Sequence, residues 1–193
     1  TFFFSGICAI SSGVVVSLLQ EQYGFAYGMT GTLLSLMSIG NLLAGFLTGV
    51  LPGVLGLKPS VLLLTIGYTL GYGIMGFTGD IPLSPDLRKV ALLAAAFFLV
   101  GIAKGSAMNA CTILVSDNSA DRTRGMNLMH SCYACGALLC PFLIAAAAKV
   151  STSLAVFLLA ALGVVLWLVY LKTPMGGKVQ SAKAAIDWSF LRS

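Results

Sequence analysis

Charge is the scarcest thing in this chain. Lys and Arg together number 11, and Asp and Glu only 6, so 9% of the 193 residues are charged. A water-soluble domain carries about a quarter, and a surface facing water on all sides is excluded. Histidine occurs once, and a single imidazole with no acid nearby cannot build a zinc site. HExxH and GxSxG are both absent, which removes the simplest hydrolase readings. No basic patch lies on a polar face, so nothing points to a nucleic-acid partner. Strict apolar–polar alternation is missing, which excludes an outer-membrane barrel. No pattern in the chain asks for a cofactor.

What fills the chain is hydrocarbon. Hydrophobic residues make up 58% and the mean hydropathy is +0.97. Runs of about 20 apolar residues are the length at which a helix crosses about 30 Å of lipid. Six are legible: Phe2 to Leu19, Thr30 to Pro52, Ser60 to Thr78, Val90 to Val115, Gly125 to Ala148, and Ser153 to Leu171. Backbone groups in lipid must be satisfied within the segment, so each run is expected to be a helix. The expected fold is an all-α membrane bundle of six transmembrane helices. The first three and last three runs match in length and spacing. That pattern suggests a 3+3 inverted repeat of the kind that builds secondary transporters.

Basic residues orient the bundle. With the first helix running outward, the inner side holds Lys58, Arg122, Arg124, Lys172, Lys178, Lys183 and Arg192. The outer side holds Arg88, Lys89 and Lys149. Seven against three places both ends in the cytoplasm of a plasma-membrane protein. The first run is no signal peptide, lacking a basic start and a small-residue cleavage site. Both ends of the chain read as cuts, so it is expected to be a piece of a longer protein. Residues 1–172 form the expected bundle. Residues 173–193 form the expected cytoplasmic linker, in which Ile186, Trp188, Phe190 and Leu191 could lie on the membrane surface.

Glycines announce close packing. Gly45, Gly49 and Gly53 repeat on the second run, Gly67, Gly71, Gly73 and Gly76 crowd the third, and Gly101 and Gly105 sit on the fourth. Small residues let helices approach where lipid supplies no hydrophobic drive.

Against that background one residue stands out. In GIAKGSAMN, residues 101–109, Lys104 is the only charge between Val90 and Val115. A lysine at the bilayer centre costs about 2.5 to 3.5 kcal/mol on insertion scales and is by default a functional-site hypothesis. The acids Glu21, Asp80, Asp86, Asp117, Asp121 and Asp187 all fall at run ends, in breaks or in the tail. Three explanations stay open: a partner in a missing half, an anionic solute, or a lysine held in its neutral form. His130, Tyr133 and Asn127 make a polar stripe on the fifth run, through the i, i+3 spacing. There His130 either bonds a neighbouring helix or contacts solute or relays a proton. Asn41 and Asn109 cannot satisfy themselves locally as Ser11 and Ser12 can. Tyr68 and Tyr72 add further polar groups. Cys132 and Cys135 have CxxC spacing. They sit inside a span rather than opening a helix, so packing outweighs a thiol–disulfide enzyme.

The segment Asp121 to Pro141, DRTRGMNLMHSCYACGALLCP, resembles the loop and fifth helix of the major facilitator superfamily, in particular its sugar-transporting members such as the fucose–proton symporter group. The matching positions are Asn127, Leu128, His130, Tyr133, Gly136 and Ala137. The resemblance implies an N-terminal six-helix half whose central cavity His130 and Tyr133 would face. Of the superfamily's signature between helices two and three, Gly45-Phe46-Leu47-Thr48 resembles the beginning, and Gly56 and Lys58 resemble the end. Gly49 and Val50 replace the acid and base. A position that is acidic in relatives falls near Gly105 and carries no acid here.

The expected protein is a transporter, not an enzyme. It moves a small polar or anionic solute, a sugar among the candidates, between two six-helix halves. The second half is a missing C-terminal half or a second copy. Lys104, His130, Tyr133, Asn41 and Asn109 would bind the solute. Lys58, Arg122 and Arg124 would serve the cytoplasmic gate.

Overall fold

A computed structural model describes residues 2–80 and 87–175. The tail reading on Ile186, Trp188, Phe190 and Leu191, and the charges Asp86, Lys178, Lys183, Asp187 and Arg192, lie outside the described residues.

The described residues are helical throughout, apart from short turns. The helices are α1 (Phe2–Tyr23), α2 (Tyr27–Leu55), α3 (Leu57–Thr65), α4 (Gly67–Asp80), α5 (Leu87–Asn118), α6 (Arg122–Ala148) and α7 (Thr152–Lys172). α3 and α4 form one span, Leu57–Thr78, so six spans are long and apolar enough to cross a membrane. Most run a few residues past the apolar stretches, because a helix ends where its backbone is capped rather than where hydropathy falls. Gly24 ends α1 and Gly56 ends α2, both at positive φ (65° and 87°), which glycine adopts without a Cβ penalty. Asp121 caps α6 by accepting from the Arg124 N–H at 3.0 Å. Ser151 caps α7 by accepting from the Leu154 N–H at 3.0 Å.

The third span, expected as one helix, is interrupted at Ile66. The cause is a shared acceptor. The Leu62 carbonyl takes the Trp167 indole N–H at 2.9 Å, and its helical bond from Ile66 N stretches to 3.4 Å. Gly67 follows, and it presses on the Leu99 carbonyl of α5.

Two crossings carry the bundle: α1 on α6, and α2 on α5. Each is a contact of backbone on backbone. A Cβ on Gly6 would strike the Tyr133 carbonyl, and one on Gly136 the Phe3 carbonyl. A Cβ on Gly101 would strike the Met37 carbonyl, and one on Gly40 the Phe98 carbonyl. In every case the glycine meets the residue three places before its partner glycine. The buried faces repeat as well. Leu33, Gly40 and Ala44 on α2 have the spacing of Met129, Gly136 and Cys140 on α6, and all are buried. Exchanging the first three spans with the last three therefore maps one crossing onto the other. Three spans per repeat is an odd number, so the second repeat enters the membrane from the opposite side. That is an inverted 3+3 arrangement of six spans.

The glycine expectation holds only in part. Gly67, Gly71, Gly101 and Gly105 pack closely, but Gly45, Gly49, Gly53 and Gly73 have no heavy atom near the place a Cβ would take. The α2 stripe faces away from the crossing that the opposite side of the helix makes.

Buried hydroxyls tie the interior. Tyr72 donates to the Cys8 carbonyl at 2.9 Å and lies 2.5 Å from Ser11 Oγ, joining α4 to α1. Tyr170 meets Cys111 Sγ at 3.0 Å, joining α7 to α5. Lys89, expected in an outer loop, is buried on α5 with Nζ 4.9 Å from the centre of the Tyr23 ring. That contact sets the end of α1 beside the start of α5, on one side of the membrane.

Substituting a crossing glycine is expected to destabilise and substituting an open one is not. Overpacking costs about 1 to 3 kcal/mol, and here the neighbour is backbone that cannot swing aside. Gly136→Val should lower the melting temperature in detergent by several degrees, while Gly73→Ala leaves it unchanged or raised. Equal losses at both positions would contradict the crossing geometry.

Candidate functional site

The α2–α5 crossing gathers three of the five expected solute residues. Gly101 and Gly105 draw α5 against α2 so tightly that a Cβ on Gly105 would lie 2.7 Å from the Asn41 Oδ1. Lys104 is the neighbour of Gly105, near the middle of α5, and is half-buried. It makes no hydrogen bond or ion pair among the described residues. Asn41 sits mid-way along α2 and is exposed at its own face. Asn109 lies one turn further along α5.

Asn109 is anchored rather than free. Its Nδ2 donates to Thr48 Oγ1 on α2 at 2.9 Å, and the Thr48 hydroxyl donates to the Ala44 carbonyl at 2.8 Å. This is a polar tie between two membrane helices, of a kind worth about 0.6 kcal/mol on average. Sequence reasoning misses Thr48 as a site residue. Its one signal is a place on α2 seven residues after Asn41, two turns along the same face.

His130 and Tyr133 stand on the mirror crossing. Tyr133 is half-buried and its carbonyl is the one that Gly6 meets. His130 is exposed, as is Asn127. No hydrogen bond joins this pair to Lys104 or Asn41 among the described residues. The five expected residues thus form two groups, one on each symmetry-related seam.

Tyr68 and Tyr72 are not cavity groups. Both are wholly buried in the interior of the bundle, their rings parallel with centroids 6.4 Å apart. The Tyr68 hydroxyl and Ser106 Oγ are buried without a hydrogen-bond partner among the described residues.

Carboxylates keep to the ends. Glu21 and Asp117 are exposed near the ends of α1 and α5, Asp121 is the α6 cap, and Asp80 is the last residue of α4. Among the expected gate residues, Lys58 is half-buried near the start of α3, and Arg122 and Arg124 are exposed at the start of α6. Cys132 and Cys135 lie well inside α6, half-buried and exposed, and both are free thiols. They stand away from the helix N-terminus that activates a CxxC pair.

A cavity of about 380 Å³ opens where α1 begins and α5 and α7 end, lined by Phe2, Cys111, Leu114, Asn118, Tyr170 and Thr173. Along α5 it begins about two turns beyond Lys104.

Compared with known proteins, residues 1–193 match the family model described as Major Facilitator Superfamily. No match to the chain is found among curated proteins or among solved structures.

Removing the Asn109–Thr48 tie is expected to loosen the seam modestly. Asn109→Ala should lower stability by about 0.5 to 1.5 kcal/mol, read as a shift in thermal melting in detergent. Thr48→Val should cost a similar amount. The double variant should cost less than the sum, because both single changes delete the same bond. Full additivity would mean that the bond contributes nothing.

Proposed function

The chain belongs to the Major Facilitator Superfamily, and we propose that it moves a small polar solute across the membrane by alternating access between two six-helix halves. Transporters, not enzymes, make up this superfamily, and six apolar spans make the chain a multi-pass membrane protein.

One observation carries the reading. The least buried spans are α2 and α6, at 17% each, and their exposed faces present Asn41 mid-way along α2 and Asn127 and His130 within the first turns of α6. Hydrocarbon is a poor neighbour for such groups, so polar residues at this depth face a bundle interior or a water-filled path. A second six-helix half, either further sequence or a second copy, would enclose that path. Solute would bind at mid-span, with Lys104 supplying charge and Asn41, His130 and Tyr133 supplying hydrogen bonds. Asn109 would act through its tie to Thr48 as well as by contact. The two halves would rock about the site. Lys58, Arg122 and Arg124 would border the cytoplasmic mouth, with both chain ends on that side of the plasma membrane. A sugar as solute, and symport with an ion, follow from the likeness of the Asp121–Pro141 segment to sugar-transporting members.

Accessibility tests the path without knowing the solute. In a variant with all native cysteines changed to serine, Asn41→Cys and His130→Cys should be labelled by a membrane-impermeant thiol reagent. Labelling should come from either side of an oriented vesicle. Positions such as Leu63, exposed on α3, should resist when converted to cysteine. If these two cysteines resist equally, the central path is wrong. Cys132→Ser and Cys135→Ser, at half-buried and exposed positions, should each retain solute uptake within about twofold. Loss of activity only with Cys132→Ser or Cys135→Ser would instead favour thiol chemistry.

A further inference from the structure

We propose that the solute is a small oxyanion, a carboxylate or a phosphate, for which Lys104 is the counter-charge. The inference rests on the transport reading above and puts an oxyanion in place of the sugar named there.

The argument begins with where charge is missing. Lys104 is the single charged side chain in the mid-span part of the described helices. Of the six carboxylates in the chain, the four on described residues lie near helix ends, and the other two lie outside the described residues. A lone ammonium in a low-dielectric interior is unfavourable unless an opposite charge meets it. At the level of Lys104 the described helices offer only neutral groups: Asn41 across the seam, Asn109 one turn on, and the small residues Gly101, Ala103, Gly105 and Ala107 beside it.

Donor chemistry points the same way. An ammonium has three N–H donors and no acceptor, and an ionised carboxylate accepts only. On the same seam Asn41 adds an amide N–H₂ that can donate. An oxyanion satisfies them with lone pairs and neutralises the lysine in the same act. A neutral polyol could bond the same amide, since hydroxyls both donate and accept, but it would leave the charge unmet. The apolar flank of α5 strengthens the match, since attraction between unlike charges rises as water is excluded. Lysine suits a solute that must be released, because its flexible stem carries a point charge and not a rigid bidentate fork.

The test uses the full encoded chain in lipid vesicles. Wild type, Lys104→Gln and Lys104→Arg are each given one mixture of acetate, lactate, inorganic phosphate, fucose, glucose and choline. Internal solutes are read by mass spectrometry. The expected result is accumulation of an oxyanion and of no neutral sugar. The carboxylate and phosphate arms identify which headgroup it is. Lys104→Gln should raise the half-saturating concentration roughly 30-fold or more, the loss seen when one partner of a buried charge pair is removed. Lys104→Arg should restore much of it.

Accumulation of fucose or glucose with no oxyanion would overturn the proposal and leave the transport reading standing. It would assign the counter-charge to a carboxylate elsewhere. If wild type accumulates no oxyanion from the mixture the proposal falls, and the transport reading falls with it only if Asn41→Cys and His130→Cys also resist labelling. A second readout guards against a misfolded Lys104→Gln. In the wild-type lysine background, the accumulated oxyanion should protect Asn41→Cys from thiol labelling and fucose should not. Protection by fucose alone would also overturn the proposal.

Discussion

Two glycine crossings hold this bundle, and everything else is arranged around them. In lipid there is no water to drive helices together, so they associate through close packing and polar contacts. Gly6 with Gly136, and Gly40 with Gly101, remove the side chains that would keep the backbones apart. Each glycine then meets a carbonyl of the facing helix, a geometry in which Cα–H groups approach oxygen. Because the two crossings are equivalent under exchange of the first and last three spans, the constraint is met twice. α4 and α7 close the back of the bundle, through contacts such as Gly76 on Phe157 and Gly163 on Thr69.

Polar groups divide according to those crossings. Two interior tyrosines are spent on structure, Tyr72 on Cys8 and Ser11 and Tyr170 on Cys111, and the Trp167 indole goes to Leu62, while the buried Tyr68 hydroxyl has no partner among the described residues. On the α2–α5 seam Asn109 is tied to Thr48, and the neighbouring charge is not tied. Lys104 sits beside a crossing glycine with no partner among the described residues, and Asn41 meets that glycine, Gly105, across the seam. The helix contact that demands Gly105 thus also sets the depth and spacing of the adjacent charge. In GIAKGSAMN the close-packing glycines and the one mid-span charge therefore lie side by side on α5.

Much of the fold is readable from the chain alone, and the reason is physical. Bilayer thickness fixes span length, so the six runs emerge from hydropathy alone. The repeat is visible there only as matching lengths. A crossing needs a small residue at one point and an apolar face around it, and many sequences meet that requirement without resembling each other. Which glycines serve is not legible: Gly45, Gly49 and Gly53 look like a packing stripe and meet nothing, while Gly6 and Gly40 carry no local mark and lie at contacts. Lys104 is legible because a charge in an apolar run is rare. The tie of Asn109 to Thr48 is not, since it depends on how α2 and α5 are rotated about their axes.

By itself, then, the sequence determined the solvent, the number of spans, their all-helical form and the one mid-span charge, because each follows from composition and from the length of apolar runs. The tertiary structure alone decided which residues share a seam, which hydroxyls are consumed by packing, and which polar groups remain open at mid-span. Those depend on helix rotation and crossing depth. Both are set by contacts between residues far apart in the chain, such as Met37 with Gly101 and Phe3 with Gly136, which no local pattern records.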